Sequence, residues 1–319
     1  GKETRNIVMA NYSNDFSIEN LEVIRRYQSN EDNVFFAYSE FSYNTLVGAY
    51  EPFLDIICNM HRRFIGGSFD DFQKECGVYY LHRQVLNSYY ETGECFREET
   101  VLLNEVAYEQ RRMTMAIADM LKRLSEVRPL MIVINRFQMA SKSSIETIKY
   151  LIDNPCANIG IVLGVNAIVK GADSTVEVWD RIVESLEDRS AIYYIGSAGP
   201  LKNNIKTTND DELYITMNFE QSIQEASNIM EFLDYEQARR GCRIIEHKIK
   251  FENAWIDEKS LRRFYLVYAR TSVLLGEMSK AIELMNEYKA LIPENDSEHY
   301  FSLYYFMKGT CCLLYTSPS

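Results

Sequence analysis

Between positions 128 and 195 three short apolar runs, 130–134, 158–164 and 191–195, alternate with two stretches of helical periodicity. A strand covered on both faces reads as an apolar run, and strands joined through helices pair in parallel. The alternation therefore confines this part of the chain to a parallel α/β layer with crossover helices. The first crossover carries Ile145, Ile148, Leu151 and Ile152 on one face, with Ser143 and Glu146 in capping-box spacing at its start. The second, over about 175–186, presents Val176, Val178, Trp179, Ile182, Val183 and Leu186.

Upstream, 33–39 reads as a further buried strand. A short amphipathic helix with Ile18, Leu21 and Ile24 is expected before it. A helix over 49–64, with Phe53, Ile56, Ile57 and Met60 on one face, is expected after it. Residues 65–98 have no clean period and are expected to be irregular with one or two helices, and 99–126 reads as one long helix. The Gly-, Asn-, Lys- and Thr-rich stretch 196–211 is the natural linker. Beyond it helices are predicted over 219–233, 235–249, 258–275, 278–291 and 299–311, with joins short enough to make antiparallel hairpins. The domains read as 1–210, an α/β unit, and 211–311, an all-α array.

With 319 residues and 46% hydrophobic content there is enough apolar sequence for two cores. A net charge of -12 without a basic tract argues against direct contact of this part with nucleic acid or an anionic membrane. The longest apolar runs fall far short of the roughly 20 residues a membrane helix needs, and no signal peptide is read, so a cytoplasmic location is expected. The seven cysteines form no C-x-x-C pair and no zinc spacing with the four histidines, which favours reduced thiols. Residues 312–319, Cys-Leu-Leu-Tyr-Thr-Ser-Pro-Ser, resemble a translated sequencing adapter and are set aside; both ends of the chain read as cuts.

The segment 128–151, Arg-Pro-Leu-Met-Ile-Val-Ile-Asn-Arg-Phe-Gln-Met-Ala-Ser-Lys-Ser-Ser-Ile-Glu-Thr-Ile-Lys-Tyr-Leu, resembles the Walker B strand and following helix of STAND/AAA-type regulatory ATPases. Phe137, Gln138, Ala140, Ser144 and Ile145 stand at matching places, and Tyr50-Glu-Pro-Phe-Leu54 is similar to that family's segment after its second strand. The resemblance implies a P-loop NTPase-like sheet and ATP with Mg as the ligand. The family's two acidic positions carry Asn135 and Arg136 instead. Asn135 can reach a metal only through a bound water and brings no charge, and Arg136 cannot act as a base and is expected to be salt-bridged or solvated. Nucleotide binding without hydrolysis is therefore the expectation. In the same frame Gly1 and Lys2 resemble the end of a Walker A loop, with Thr4 as the hydroxyl ligand and Asn166, after the 158–164 strand, near a γ-phosphate. If Lys2 follows the first strand, that strand lies upstream, the sheet lacks a central strand, and the chain is expected to be poorly stable.

In the all-α part, 275–293 is similar to the second half of a tetratricopeptide repeat. Gly276 would end one helix, Ala281 would be the small residue at the helix crossing, and Pro293 would close the repeat; 233–238 is a more divergent copy. The resemblance implies a platform for a protein or peptide partner, within a signalling protein whose output domain, a LuxR-type helix-turn-helix or a GGDEF diguanylate cyclase, lies elsewhere in the polypeptide. The alternative is a scaffold that keeps the fold and binds no nucleotide.

Overall fold

A computed structural model describes residues 6–12, 33–41, 46–97, 101, 105–165, 173–196, 218–251, 255–292, 301–302 and 304–309. Among them, strands β1 (Ile7–Tyr12), β2 (Phe35–Glu40), β3 (Leu130–Asn135), β4 (Ile159–Val165) and β5 (Ile192–Ile195) form one parallel sheet in the order β2-β3-β4-β1-β5. The expected missing central strand is thus a correction. Ile7-Val-Met-Ala-Asn-Tyr12 fills the place between β4 and β5, pairing Met9 with Leu163 on one side and with Ile192 on the other. The expectation fails because a frame with one helix between Lys2 and 33–39 leaves no place for a strand, although six residues of mostly apolar sequence suffice for a buried one. The expected instability loses its premise with it.

The helices of the α/β part are α1 (Phe53–Met60), α2 (Phe69–Glu75), α3 (Tyr80–Thr92), α4 (Val106–Val127), α5 (Lys142–Asp153) and α6 (Asp173–Asp188). Connections from β2 to β3, β3 to β4 and β4 to β5 all advance in one direction along the sheet. Right-handed crossovers then put their helices on one face. There Met9, Ile132, Ile134, Ile161 and Leu163 pack in a common core with Ile117 and Leu121 of α4, Ile145 and Ile148 of α5 and Ile182 of α6. The alternate residues Ala10, Tyr12, Met131, Val133 and Val162 form a second cluster on the opposite face.

Three local expectations shift. The helix expected over 49–64 begins at Phe53, because Tyr50 turns into the left-handed region (φ 57), and it ends in a π-helical turn, His61–Ile65. The long helix expected from 99 begins at Val106, and Val101 is buried but not helical. The helix after β3 is capped by Ser141, whose Oγ accepts the Ser144 N–H at 3.4 Å. Ser143 is therefore not the cap. Buried inside the first turn, it offers its Oγ to the Tyr50 N–H at 3.0 Å.

The all-α part comprises α7 (Phe219–Glu231), α8 (Tyr235–Phe251), α9 (Glu258–Leu274) and α10 (Met278–Ala290), paired as α7/α8 and α9/α10, with α9 packing against both helices of the first hairpin. Gly276 stops α9 at φ 75, where its N–H bonds the Val273 carbonyl at 3.0 Å, and Ala281 is fully buried. Pro293 lies outside the described residues. The array is fused to the α/β layer by one continuous hydrophobic cluster. The Phe232 ring meets Tyr50 at 5.6 Å and Tyr89 at 6.2 Å, both edge-on. Asn228 accepts the Cys95 N–H at 2.9 Å and donates to the Gly93 carbonyl at 3.0 Å. No described helix is long and apolar enough to cross a membrane.

Candidate functional site

In an open parallel sheet, ligands bind outside the carboxyl ends of the strands, where neighbouring strands connect in opposite directions. Here β1 leads back across β4 and β3 to β2, whereas β4 leads over β1 to β5. The switch point is the crevice between the ends of β1 and β4. Asn166 directly follows β4 at this point but lies outside the described residues, as do Gly1, Lys2 and Thr4. In sequence, Lys2 comes before β1, not after it, and residues 13–24, which leave its carboxyl end, contain neither glycine nor lysine. A glycine-rich phosphate cradle therefore has no counterpart in the sequence after β1.

At the same edge Asn135 ends β3, only 8% exposed. Its Oδ1 accepts the Tyr12 hydroxyl and, at 2.9 Å, the backbone N–H of Arg136; its Nδ2 donates to the Tyr38 hydroxyl at 3.3 Å. Tyr38 donates in turn to Glu40 Oε2 at 3.2 Å. The Glu40 carboxylate also faces the Arg136 guanidinium, with Oε1 3.0 Å from Nη2. The row Tyr12–Asn135–Tyr38–Glu40–Arg136 thus closes on itself across the ends of β1, β3 and β2.

Arg136 occupies the left-handed region, φ 54 and ψ 42, a conformation that costs a residue with a Cβ about 1–2 kcal/mol. Its backbone is fixed by the Asn135 side chain behind it and by the Met139 N–H, which bonds its carbonyl at 2.9 Å. The twist turns the side chain back toward β2, where the guanidinium pairs with Glu40. The residues after it bury Phe137 against Trp179 of α6, ring centroids 5.7 Å apart.

Ser144 and Tyr50, from the two segments that carry the resemblance, meet in one joint. Ser144 Oγ donates to the Glu51 carbonyl at 2.7 Å, and beside it Ser143 accepts from Tyr50. Tyr50, buried beneath α7, also directs its hydroxyl to the Gln110 carbonyl at 3.3 Å. Burial pushes that phenol far above the ordinary tyrosine range.

Sequence reasoning missed Tyr12, Tyr38 and Glu40. The available signal was that each sits within the last three positions of a strand-length run, where side chains of a parallel sheet meet at its carboxyl edge. The described edge does not fit Mg–ATP: its carboxylate, Glu40, is held by Arg136, and both functions of the Asn135 amide are taken. Among the described residues no group of three or more histidine, cysteine or acidic side chains is arranged to hold a metal ion. Comparison with protein-family models, curated proteins and solved structures found no match.

Proposed function

We propose that the chain is a regulatory interaction module, in which an α/β unit of P-loop-like descent serves as a non-hydrolysing support for a helical-repeat platform that binds a protein or peptide. The observation that carries this reading is the closed row at the carboxyl edge. Hydrolysis of a phosphoanhydride needs negative charge there to hold a metal and orient water. A neutral amide and a self-paired arginine supply neither.

The continuous core between sheet and array supports the regulatory half of the proposal, because a support that shares its core with the platform communicates strain to it. The platform half rests on the stacked hairpins and on Phe251 and Trp255, 73% and 84% exposed where α8 gives way to α9.

A second reading, nucleotide binding without turnover, is favoured by the switch point between β1 and β4. Phosphate release and thermal melting with Mg–ATP separate the readings. Neither release nor a shift in Tm at millimolar ATP is expected, a Tm shift without release favours the second reading, and release abolished by Asn135→Ala overturns both.

A further inference from the structure

Where the array seats on the α/β layer, two carboxylates from opposite elements converge on one backbone carbon. A Cβ built on Gly48 would lie 2.6 Å from Glu225 Oε1 and 3.4 Å from Glu51 Oε2. Glu51 precedes α1 and accepts the Gly48 N–H at 2.9 Å. Glu225, on α7, has no donor and no cation partner among the described residues. The Glu225 carboxylate thus lies over Gly48 beside the Glu51 carboxylate, and two like charges meet there.

The other titratable groups around the contact do not relieve it. Asp55 of α1 adds a third negative charge, its Oδ1 held by the Tyr89 hydroxyl of α3 at 3.0 Å. Cys58 of α1 and Cys95 after α3 are thiols that burial keeps protonated. Arg263 of α9 is engaged by Gln224 and by Glu94 at 3.8 Å, and Arg239 and Arg243 of α8 are directed to Glu277.

We propose that this contact is a proton-gated joint: a proton on Glu225 beside Glu51 lets α7 seat against residues 48–51, and its loss loosens the helical array from the α/β layer. The surrounding contacts, Phe232 on Tyr50 and Asn228 on Cys95, keep the joint from separating fully and leave the acid pair to set its tightness. Burial first, then Glu51 and Asp55, push the Glu225 carboxyl up to about 7, and burial raises Glu51 as well. A carboxyl whose docked pKa lies above its free value of about 4.5 stabilises docking at low pH and loses that contribution as pH rises through about 7. The joint stands independently of the nucleotide reading.

Hydrogen exchange of the full chain, read on peptides covering α7 and α1 and corrected for intrinsic exchange, tests it. Linkage between those two pKa values gives an opening constant about tenfold larger at pH 8 than at pH 6 in the wild type. Glu225→Gln is expected to abolish the difference and to protect α7 at pH 8, whereas Glu220→Gln, an exposed acid on the same helix, keeps the tenfold change. Should Glu225→Gln fail to fold, Glu51→Gln is read instead and is expected to shrink the change by lowering the Glu225 pKa. Equal opening at the two pH values in the wild type, or a tenfold change surviving in the glutamine variant read, overturns the proposal.

Discussion

The hydroxyl of Tyr12 donates to Oδ1 of Asn135 although β4 lies between their strands. By strand alternation Gly164 stands on the same face of β4 as Val162, and it presents no side chain in the path of the phenol ring. The bond unites the ends of β1 and β3 through a neutral pair at the carboxyl edge of the sheet.

Removing the acceptor costs the buried Tyr12 hydroxyl its bond to Asn135. Asn135→Leu is expected to lose about 1–3 kcal/mol in urea denaturation. The double variant with Tyr12→Phe should lose less than the sum of the singles, because the bond the two share is lost only once. Additive losses would show that the bond carries no coupling energy.

Arg136 combines a strained backbone with an ion pair that is about a third exposed on each side. Exposure limits such a pair to about 0–1 kcal/mol. Arg136→Gly, which relieves the left-handed strain, should therefore leave Tm nearly unchanged. Arg136→Val, which loses the pair and adds a β-branched side chain at φ 54, should lower it by several degrees.

Phe232 is 2% exposed between Tyr50 and Tyr89, at the seam between array and sheet. Phe232→Ala is expected to cost about 3–5 kcal/mol. The loss should appear as earlier unfolding of the array, seen when denaturation is followed by exchange in α8 and α9 separately from β3.

His82 is fully buried with Glu109 Oε2 2.9 Å from its Nε2. Burial, then Arg97 and Arg112, lower its pKa to about 3, so the ring stays neutral at physiological pH. The unfolded chain binds this proton near pH 6.5 and the folded one does not until about 3, so stability falls as pH drops through that window, by up to about 1.4 kcal/mol per unit. His82→Leu should flatten that acid limb; an unchanged slope would place the ring's titration elsewhere. The effect is opposite in sign to that of Glu225 and is read between the same chain with and without the substitution.

The helices of the array were legible because their apolar residues recur with one clear period, and the strands β2 to β5 because they stand as short apolar runs. Tyr235, Ala238, Cys242 and Ile245, for instance, fall on one buried face. Strand β1 was not, because a short apolar run beside a Gly-Lys pair fits more than one frame and only pairing with β4 and β5 decides it. At the candidate site, Asn135 and Arg136 stood out as departures from an acidic pattern. Their partners Tyr12, Tyr38 and Glu40 lie 123, 97 and 96 residues away or nearly so in sequence, and nothing local marks such meetings. The Ser143 cap failed for a related reason: three serines at 141, 143 and 144 compete for the role, and the one drawn away by Tyr50 could not be told from its neighbours.

One cluster of side chains runs from Met9 in the sheet through Tyr50 and Phe232 to Tyr288 in α10. Such a seam makes the two parts one folding unit. The sheet and the helices are not interchangeable cassettes, and a graft cut in the linker would bare apolar surface on both pieces. The unit that can be transplanted into another protein, or tugged by a partner at its far end, is the whole.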